Sequence, residues 1–131
     1  MPSIPEAFHD LLHQQVATFG TVGRNGRPQL SVVWFLADGD TVALSLSSAR
    51  KKTENLQANP DCSLLVLDPA NPFRYLELRG RARLSEDENY EFAKKVGEKY
   101  NADLRQYDDP GDTRYKVTIE ADRVRAVDMS A

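Results

Sequence analysis

Three consecutive cations, Arg50, Lys51 and Lys52, stand near the start of a short predicted helix. A helix N-terminus already carries partial positive charge, so cations there cost up to about 0.3–1 kcal/mol each. A bound phosphate or carboxylate would offset that cost, because unpaired N–H groups, cations and the helix dipole all attract an anion. In the alternative interpretation the side chains extend into solvent and Glu54 compensates part of their charge. The local pattern leaves both interpretations open.

The helix that carries these cations lies within SSARKKTENLQANP, residues 47–60. Ser48 is a favourable N-cap residue, because its hydroxyl can accept a hydrogen bond from a first-turn amide. Asn59 and Pro60 are typical of a helix end. We therefore expect a helix from about residue 49 to residue 58.

The segment before this helix has the pattern of β-strands. A short amphipathic helix is predicted to end near Gln14, and three β-rich runs follow over residues 16–48. The runs are separated by Asn-Gly at 25–26 and Asp-Gly at 38–39, which favour the positive φ angles of tight hairpin turns. The pattern predicts an antiparallel meander of three strands.

The second half of the chain adds further strands and one more helix. Apolar and polar residues alternate along the strands predicted at 62–68 and 73–85. Residues 85–88, Ser-Glu-Asp-Glu, have the form of a capping box and predict a helix. A turn-rich stretch at 107–115 then leads to a last β region at 114–129. The helices are too few and too irregularly placed for βαβ units, so the order predicts a mainly β (α+β) fold, an antiparallel barrel of six to seven strands with peripheral helices.

Composition limits the classes of protein that remain. A chain of 131 residues with 40% hydrophobic residues predicts a single domain over 1–131 with its own core. The net charge of −3 gives no general basic field, so nucleic acid is not an expected partner. The N-terminus lacks the pattern of a secretory peptide, and no apolar run approaches about 18 residues. We expect a cytoplasmic protein without membrane contact, and the single cysteine, Cys62, excludes an internal disulfide framework.

Other candidate motifs lack essential parts. Gly20, Gly23 and Gly26 have the wrong spacing for a dinucleotide fingerprint and lie at a hairpin. His9 and His13 are one helical turn apart, but neither an HExxH pattern nor a cysteine cluster accompanies them, so we expect no metal site. No catalytic side chains can be assigned, and we expect a cofactor to supply any chemistry.

The segments NGRPQLSVVWF, residues 25–35, and LSLSSARKKTENLQANP, residues 44–60, together resemble the pyridoxamine-phosphate-oxidase-like split-barrel flavoproteins. More narrowly, G-R-P-Q-L-S followed by R-x-K-T-x-N-L resembles the actinobacterial branch that uses the deazaflavin coenzyme F420. The element order fits along nearly the whole chain, and the specific motif match covers about residues 20–85. The resemblance implies a homodimer of split β-barrels with two cofactor sites in grooves at the subunit interface.

The resemblance also implies which residues bind the cofactor. Arg50, Lys52 and the adjacent Lys51 would hold its phosphate or acidic tail. The preceding strand would add hydroxyl and backbone contacts, and the tricyclic ring would lie along an earlier strand. On the strand that directly precedes the helix, these residues are Leu44, Ser45, Leu46 and Ser47. Along the earlier strand, beside the ring, they are Pro28, Gln29, Leu30, Ser31 and Val32. The candidates for a nearby proton donor are Tyr75 and the partner subunit's C-terminal segment.

The activity that this resemblance implies is hydride transfer from reduced F420 to an electron-poor small molecule such as a conjugated alkene. Two alternatives use the same barrel: an FMN-dependent oxidase of the pyridoxamine-phosphate-oxidase type, and a non-catalytic protein that stores or carries a deazaflavin. Nucleic-acid binding through the three cations is a weaker alternative, because the sequence lacks interleaved aromatic residues. The natural substrate cannot be assigned from the sequence.

Overall fold

The computed structural model describes residues 2–130 and contains one curled antiparallel sheet of seven strands with helices packed against it. The strands are β1 (Ala17–Val22), β2 (Pro28–Val33), β3 (Leu36–Asp38), β4 (Thr41–Ser47), β5 (Asp61–Leu67), β6 (Arg74–Glu86) and β7 (Arg114–Asp128). The α-helices are α1 (Lys51–Ala58) and α2 (Glu91–Tyr100), and 3-10 helices cover Glu6–His13 and Leu104–Tyr107. The mainly β architecture with seven antiparallel strands is as predicted. None of the helices within residues 2–130 is long and apolar enough to cross a membrane.

The strand order, β2-β1-β5-β6-β7-β4-β3, explains why the sheet curls. β2 and β3 lie at its opposite edges, yet only Trp34 and Phe35 separate them in the chain. The three peptide steps from Val33 to Leu36 span at most about 11 Å, so the two edges have to approach each other. The result is a half-barrel with Phe35 fully buried at the corner.

The predicted three-stranded meander over residues 16–48 is therefore wrong. This region forms two separate hairpins, β1–β2 and β3–β4, at the two ends of the sheet. The turns themselves are confirmed, since Gly26 and Gly39 have φ angles of 75° and 60°. Such angles are accessible to glycine without steric cost.

The core is made of alternate residues of the strands together with the N-terminal 3-10 helix and α1. Its largest fully buried side chains are Phe19, Phe35, Leu11, Leu44, Leu64, Leu76 and Ile119. A smaller cluster of Ala93, Val96 and Leu104 attaches α2 to the segment that follows it. Cys62 belongs to the main core, and burial raises the pKa of its thiol to about 12, so it acts as a packing residue.

The start of α2 differs from the prediction. Ser85 does not cap a helix, because it remains in β6 and pairs with Lys116 of β7. The helix begins at Glu91, and its first amides are satisfied by the carboxylate of Asp87, which accepts hydrogen bonds from the N–H groups of the residues at 92 and 93 at 3.1 and 2.8 Å. Tyr90 holds the N-cap position, and the side chain that satisfies the first-turn amides belongs to an aspartate of the predicted box and not to its serine.

Candidate functional site

The N-terminus of α1 lies slightly later in the chain than predicted. Arg50 occupies the N-cap position and Lys51 is the first helical residue. Ser48 is not the cap, because its hydroxyl accepts a hydrogen bond from the N–H of Thr113 at 2.9 Å and its own N–H donates to the Thr113 carbonyl at 2.7 Å. The cations thus occupy the cap and the first two helical positions, where the dipole disfavours positive charge most.

Ser47 joins β4 rigidly to α1. Its carbonyl accepts hydrogen bonds from the Thr53 hydroxyl at 2.7 Å and from the N–H of Arg50 at 3.1 Å. Its hydroxyl oxygen accepts a hydrogen bond from the N–H of Ala49 at 3.1 Å. These bonds hold Ser47 and the helix entrance in one fixed arrangement.

A cavity of about 630 Å³ opens between the end of β4, the start of α1 and the segment that precedes β7. Its volume lies in the usual range for small-molecule and cofactor sites, about 300–1,000 Å³. The predicted site residues that line it are Val32, Ser45, Leu46, Ser47, Arg50 and Lys52. The structure thus brings the helix entrance, the β4 hydroxyls and the end of β2 to one surface.

The three cations have different surroundings. None of the ion pairs found within residues 2–130 includes Arg50 or Lys52, both of which line the cavity. Lys51 is not in the cavity wall and lies 3.4 Å from Glu54 in an exposed ion pair. Partial burial, and to a smaller extent the charge of Arg50, lowers the pKa of the Lys52 ammonium. Two unpaired cations, one of them partly desolvated, are suited to binding an anion.

Most of the predicted β2 residues lie outside the cavity wall. Among Pro28 to Val32 only Val32 lines it. Leu30 and Val32 have 69% and 68% of their surface exposed on the edge strand, whereas the Ser31 hydroxyl is buried without a hydrogen-bond partner in the described chain. The β2 side chains therefore present an open apolar face at the sheet edge.

The Gln29 side chain takes part in a hydrogen-bond network within the fold. Its side-chain oxygen accepts hydrogen bonds from the Thr21 hydroxyl at 3.1 Å and from the Asn55 amide at 3.4 Å. The same Asn55 amide lies 3.1 Å from the Thr21 hydroxyl. This network ties β2 to α1, so Gln29 holds the helix that carries the cations.

Two other candidates lie away from the cavity wall. Leu44 is fully buried in the core. Tyr75 is half-buried on β6, where it pairs with Leu67 and Val127. Neither residue is among those that line the cavity.

The sequence interpretation missed one wall of the cavity, formed by residues 104–114. Arg114 and Asp108 form an ion pair whose side chains are 6% and 4% exposed. The Arg114 guanidinium also donates to the Ser45 carbonyl at 3.3 Å, and the Tyr90 hydroxyl donates to Asp108 at 2.9 Å. These contacts fix the segment against β4. In the sequence, Asp108 and Arg114 lie on either side of a Pro-Gly turn, which suggests an exposed loop. They are buried because the segment packs against β4, which is far away in the chain.

The sequence interpretation also missed the aromatic part of the wall. Trp34 and Tyr107 line the cavity, and Trp34 stacks on Tyr100 with ring centroids 4.3 Å apart. The sequence did not indicate that Trp34 lines a binding cavity, because this residue follows an apolar run and fits the pattern of an ordinary strand residue.

Metal ligands do not converge within residues 2–130. No group of three or more His, Cys, Asp or Glu side chains in this part of the chain is arranged to hold an ion. His9 lies on the N-terminal 3-10 helix, where its Nε2 is 2.8 Å from the carbonyl oxygen of Ile4 and 3.4 Å from Asp40.

The curled sheet defines a half-barrel protein with a ligand-sized cavity whose wall includes Arg50 and Lys52. A sequence model of the family described as pyridoxamine 5'-phosphate oxidase matches residues 4–128, and the chain belongs to this family. A search among curated proteins finds no match to the chain.

Solved structures with the same fold carry different names. An F420 reductase is 30% identical over 93% of this chain and 98% of its own, with a TM-score of 0.80. A conserved hypothetical protein from Mycobacterium tuberculosis is 24% identical over 95% of this chain and 85% of its own, with a TM-score of 0.77. The heme storage protein HutZ from Vibrio cholerae is 15% identical over 96% of each chain, with a TM-score of 0.73. These structures share the fold of this chain, and their names differ in the cofactor or ligand they indicate.

Proposed function

We propose that this protein is an F420-dependent reductase that transfers a hydride from reduced deazaflavin to an electron-poor, unsaturated small molecule. The observation that carries the proposal is the placement of Arg50 and Lys52, unpaired with any described carboxylate, in the same cavity wall as Ser45 and Ser47. A helix N-terminus with adjacent cations and hydroxyls is a recurrent arrangement for binding phosphate. The similarity to an F420 reductase at 30% identity supports the narrower choice of cofactor.

Each part of the wall has a separate role in this proposal. Arg50 and Lys52 bind the phosphate of the cofactor, and the hydroxyls of Ser45 and Ser47 add hydrogen bonds. Val32 supplies apolar surface that excludes water from the ring. Reduced F420, when bound, supplies the hydride, and the protein contributes proximity and orientation. Lys51, paired with Glu54 outside the wall, contributes only a distant charge.

The cavity is better suited to a flavin-type cofactor than to haem. Among the described residues that line it, Tyr107 is the only side chain of a type that commonly ligates haem iron. His9 and His13 lie on the N-terminal 3-10 helix and not in the wall. FMN shares the phosphate and the tricyclic ring, so an FMN-dependent oxidase is the second candidate, which a direct comparison of the two cofactors distinguishes.

The first test of this proposal is a turnover assay. We expect purified protein to consume reduced F420 when a conjugated alkene is added, and NADPH alone to give no reaction, because the sequence lacks the strand-to-helix glycine motif that binds dinucleotides. The readout is the absorbance of oxidised F420, with the Lys52→Ala variant as control. Reduction by NADPH in the absence of any flavin or deazaflavin would contradict the assignment. Tight F420 binding without turnover on a broad acceptor panel would instead support the carrier alternative.

We further propose that the protein is a cytoplasmic homodimer that has neither nucleic acid nor membrane as a partner. The exposed apolar side chains of Leu30 and Val32 lie on an edge strand, which another subunit can cover. The same strand ends at the cavity, so a partner subunit seated there would help to enclose the ligand.

Sedimentation velocity tests the dimer. We expect the parent protein to sediment as a dimer and Leu30→Asp to shift it towards monomer with weaker cofactor binding, because burial of a carboxylate in an apolar interface is costly. Leu67→Asp, on a 45% exposed residue of β5, is the matched control and should leave the dimer intact. A monomeric parent protein that binds cofactor at full affinity would contradict the shared site.

A further inference from the structure

The corner between β2 and β3 carries an aromatic cluster that borders the cavity. Trp34 and Tyr107 both line it and keep 37% and 55% of their surface exposed. Their ring centroids are 6.4 Å apart with an interplanar angle of 80°. Two large aromatic side chains therefore present surface to a ligand-sized space, next to the apolar side chain of Val32.

Trp34 is held firmly by its other neighbour. The Tyr100 ring stacks on it at 4.3 Å with an interplanar angle of 4°. The Tyr100 hydroxyl accepts a hydrogen bond from the N–H of Phe35 at 3.0 Å and donates to the Gln15 carbonyl at 2.7 Å. A ring fixed in this way loses little conformational freedom when a ligand binds against it.

Lys99 fastens the same corner. Its ammonium group donates to the carbonyls of Gln14 and Phe35 at 2.8 and 2.9 Å and lies 5.0 Å from the centre of the Tyr100 ring. The corner thus connects α2, the segment that precedes β1 and the β2–β3 link. These contacts, all made within the protein, hold the aromatic wall in place.

We propose that Trp34 is a specificity-determining residue that binds the planar conjugated ring of the ligand, with Tyr100 as its positioning residue. Aromatic rings favour offset-stacked or edge-to-face contacts at centroid distances of about 4.5–7 Å, and such contacts tolerate different ring chemistries. The inference deepens the proposed function and rests on it: Arg50 and Lys52 bind the anion, and Trp34 binds the flat ring. The ring belongs either to the cofactor or to the acceptor, which share this chemistry.

Binding of separate ligand fragments tests the assignment. Lumiflavin has the tricyclic ring without a phosphate, 1,4-naphthoquinone is a flat conjugated acceptor, and pyrophosphate is an anion without a ring. For Trp34→Ala we expect affinity for one of the two rings to fall about ten- to a hundredfold, while pyrophosphate binding is unchanged. Loss for lumiflavin assigns Trp34 to the cofactor ring, and loss for naphthoquinone alone assigns it to the acceptor. Trp34→Phe should retain most of the affinity.

Tyr100→Leu tests the positioning role. Trp34 is the only tryptophan of the chain, so its fluorescence anisotropy reports the mobility of this ring alone. We expect Tyr100→Leu to increase that mobility and to weaken ring binding, again without effect on pyrophosphate. Unchanged anisotropy and ring affinity in this variant would show that Tyr100 is not a positioning residue.

The outcomes separate the inference from the proposed function. If the parent protein binds F420 but Trp34→Ala binds both rings as tightly as the parent, the inference is wrong and the proposed function stands. If Trp34 determines ring binding but neither F420 nor FMN binds better than lumiflavin, the inference stands and the proposed function is wrong. Failure of the folded parent to bind either ring would overturn the inference, and Trp34→Phe provides the folded control for the alanine variant.

Discussion

Replacing Lys52 with alanine should weaken cofactor binding by about 1.5–3 kcal/mol, which corresponds to roughly ten- to a hundredfold in Kd. The reason is that Lys52 lines the cavity, is partly buried and forms no ion pair with the described residues, so its charge is available to the ligand. In the proposed site, removal of the side chain deletes a charge-assisted hydrogen bond to the phosphate. Isothermal titration calorimetry with F420 measures the change, and Arg50→Ala should act in the same direction.

The same substitution should leave the stability of the apoprotein unchanged or slightly raised. Lys52 is the second residue of α1, where the dipole disfavours a cation, and alanine has the highest helix propensity. Lys51→Ala is the matched control, because that side chain pairs with Glu54 outside the cavity wall and its loss should leave affinity nearly unchanged. Parent-level F420 affinity in both Lys52→Ala and Arg50→Ala would contradict the anion site, and a Lys52→Ala variant that is strongly destabilised would contradict the electrostatic argument.

Replacing Asp108 with alanine should lower the free energy of unfolding by about 3–5 kcal/mol. Its ion pair with Arg114 is almost completely buried, so the substitution leaves a guanidinium without its countercharge. The carbonyls of Ser45 and Leu104, which accept hydrogen bonds from Arg114, do not replace a carboxylate. Urea unfolding followed by circular dichroism measures the loss as a lower midpoint.

Two comparisons isolate the cause of this loss. Arg105→Ala removes an exposed pair with Asp103 from the same segment and should change the midpoint little, because solvent-exposed ion pairs contribute little. The double variant Asp108→Leu with Arg114→Met removes both charges and should recover much of the stability, since an apolar pair of similar volume can replace a buried ion pair. An Asp108→Ala midpoint equal to that of Arg105→Ala would show that the buried pair does not stabilise the fold.

The features that sequence alone predicted correctly depend on local chemistry. The hairpin turns at Gly26 and Gly39 follow from the positive φ angles that the Asn-Gly and Asp-Gly pairs favour. The cations at the entrance of α1 follow from the order of residues along one turn of helix. Both properties are decided within a few residues, so they can be read from a short segment.

The helix caps were predicted incorrectly because distant partners decide them. Ser48 has the right chemistry for a cap, but its hydroxyl oxygen accepts a hydrogen bond from the N–H of Thr113, which is far along the chain. Ser85 remains in a strand because β7 pairs with it. A local motif therefore identifies a residue that is able to cap, while the tertiary contacts determine whether it does.

The missed half of the cavity has the same explanation. The half-barrel brings β7 beside β4 and folds the β2–β3 corner towards α2. Only this arrangement places Arg114, Tyr107 and Trp34 in the same cavity wall as the cations. The predicted meander placed β3 beside β2 and gave no means of assembling this wall. The placement of Arg50 and Lys52 beside the β4 serines could be predicted from the sequence, because these residues lie on one helix and its preceding strand.

The most direct test of the central claim is an equilibrium titration of the purified apoprotein with F420 and, in parallel, with FMN. We expect saturable binding of F420 that is tighter than binding of FMN and that pyrophosphate competes away, since in the proposed site Arg50 and Lys52 hold the phosphate. Absence of saturable F420 binding to the folded parent protein would contradict the account.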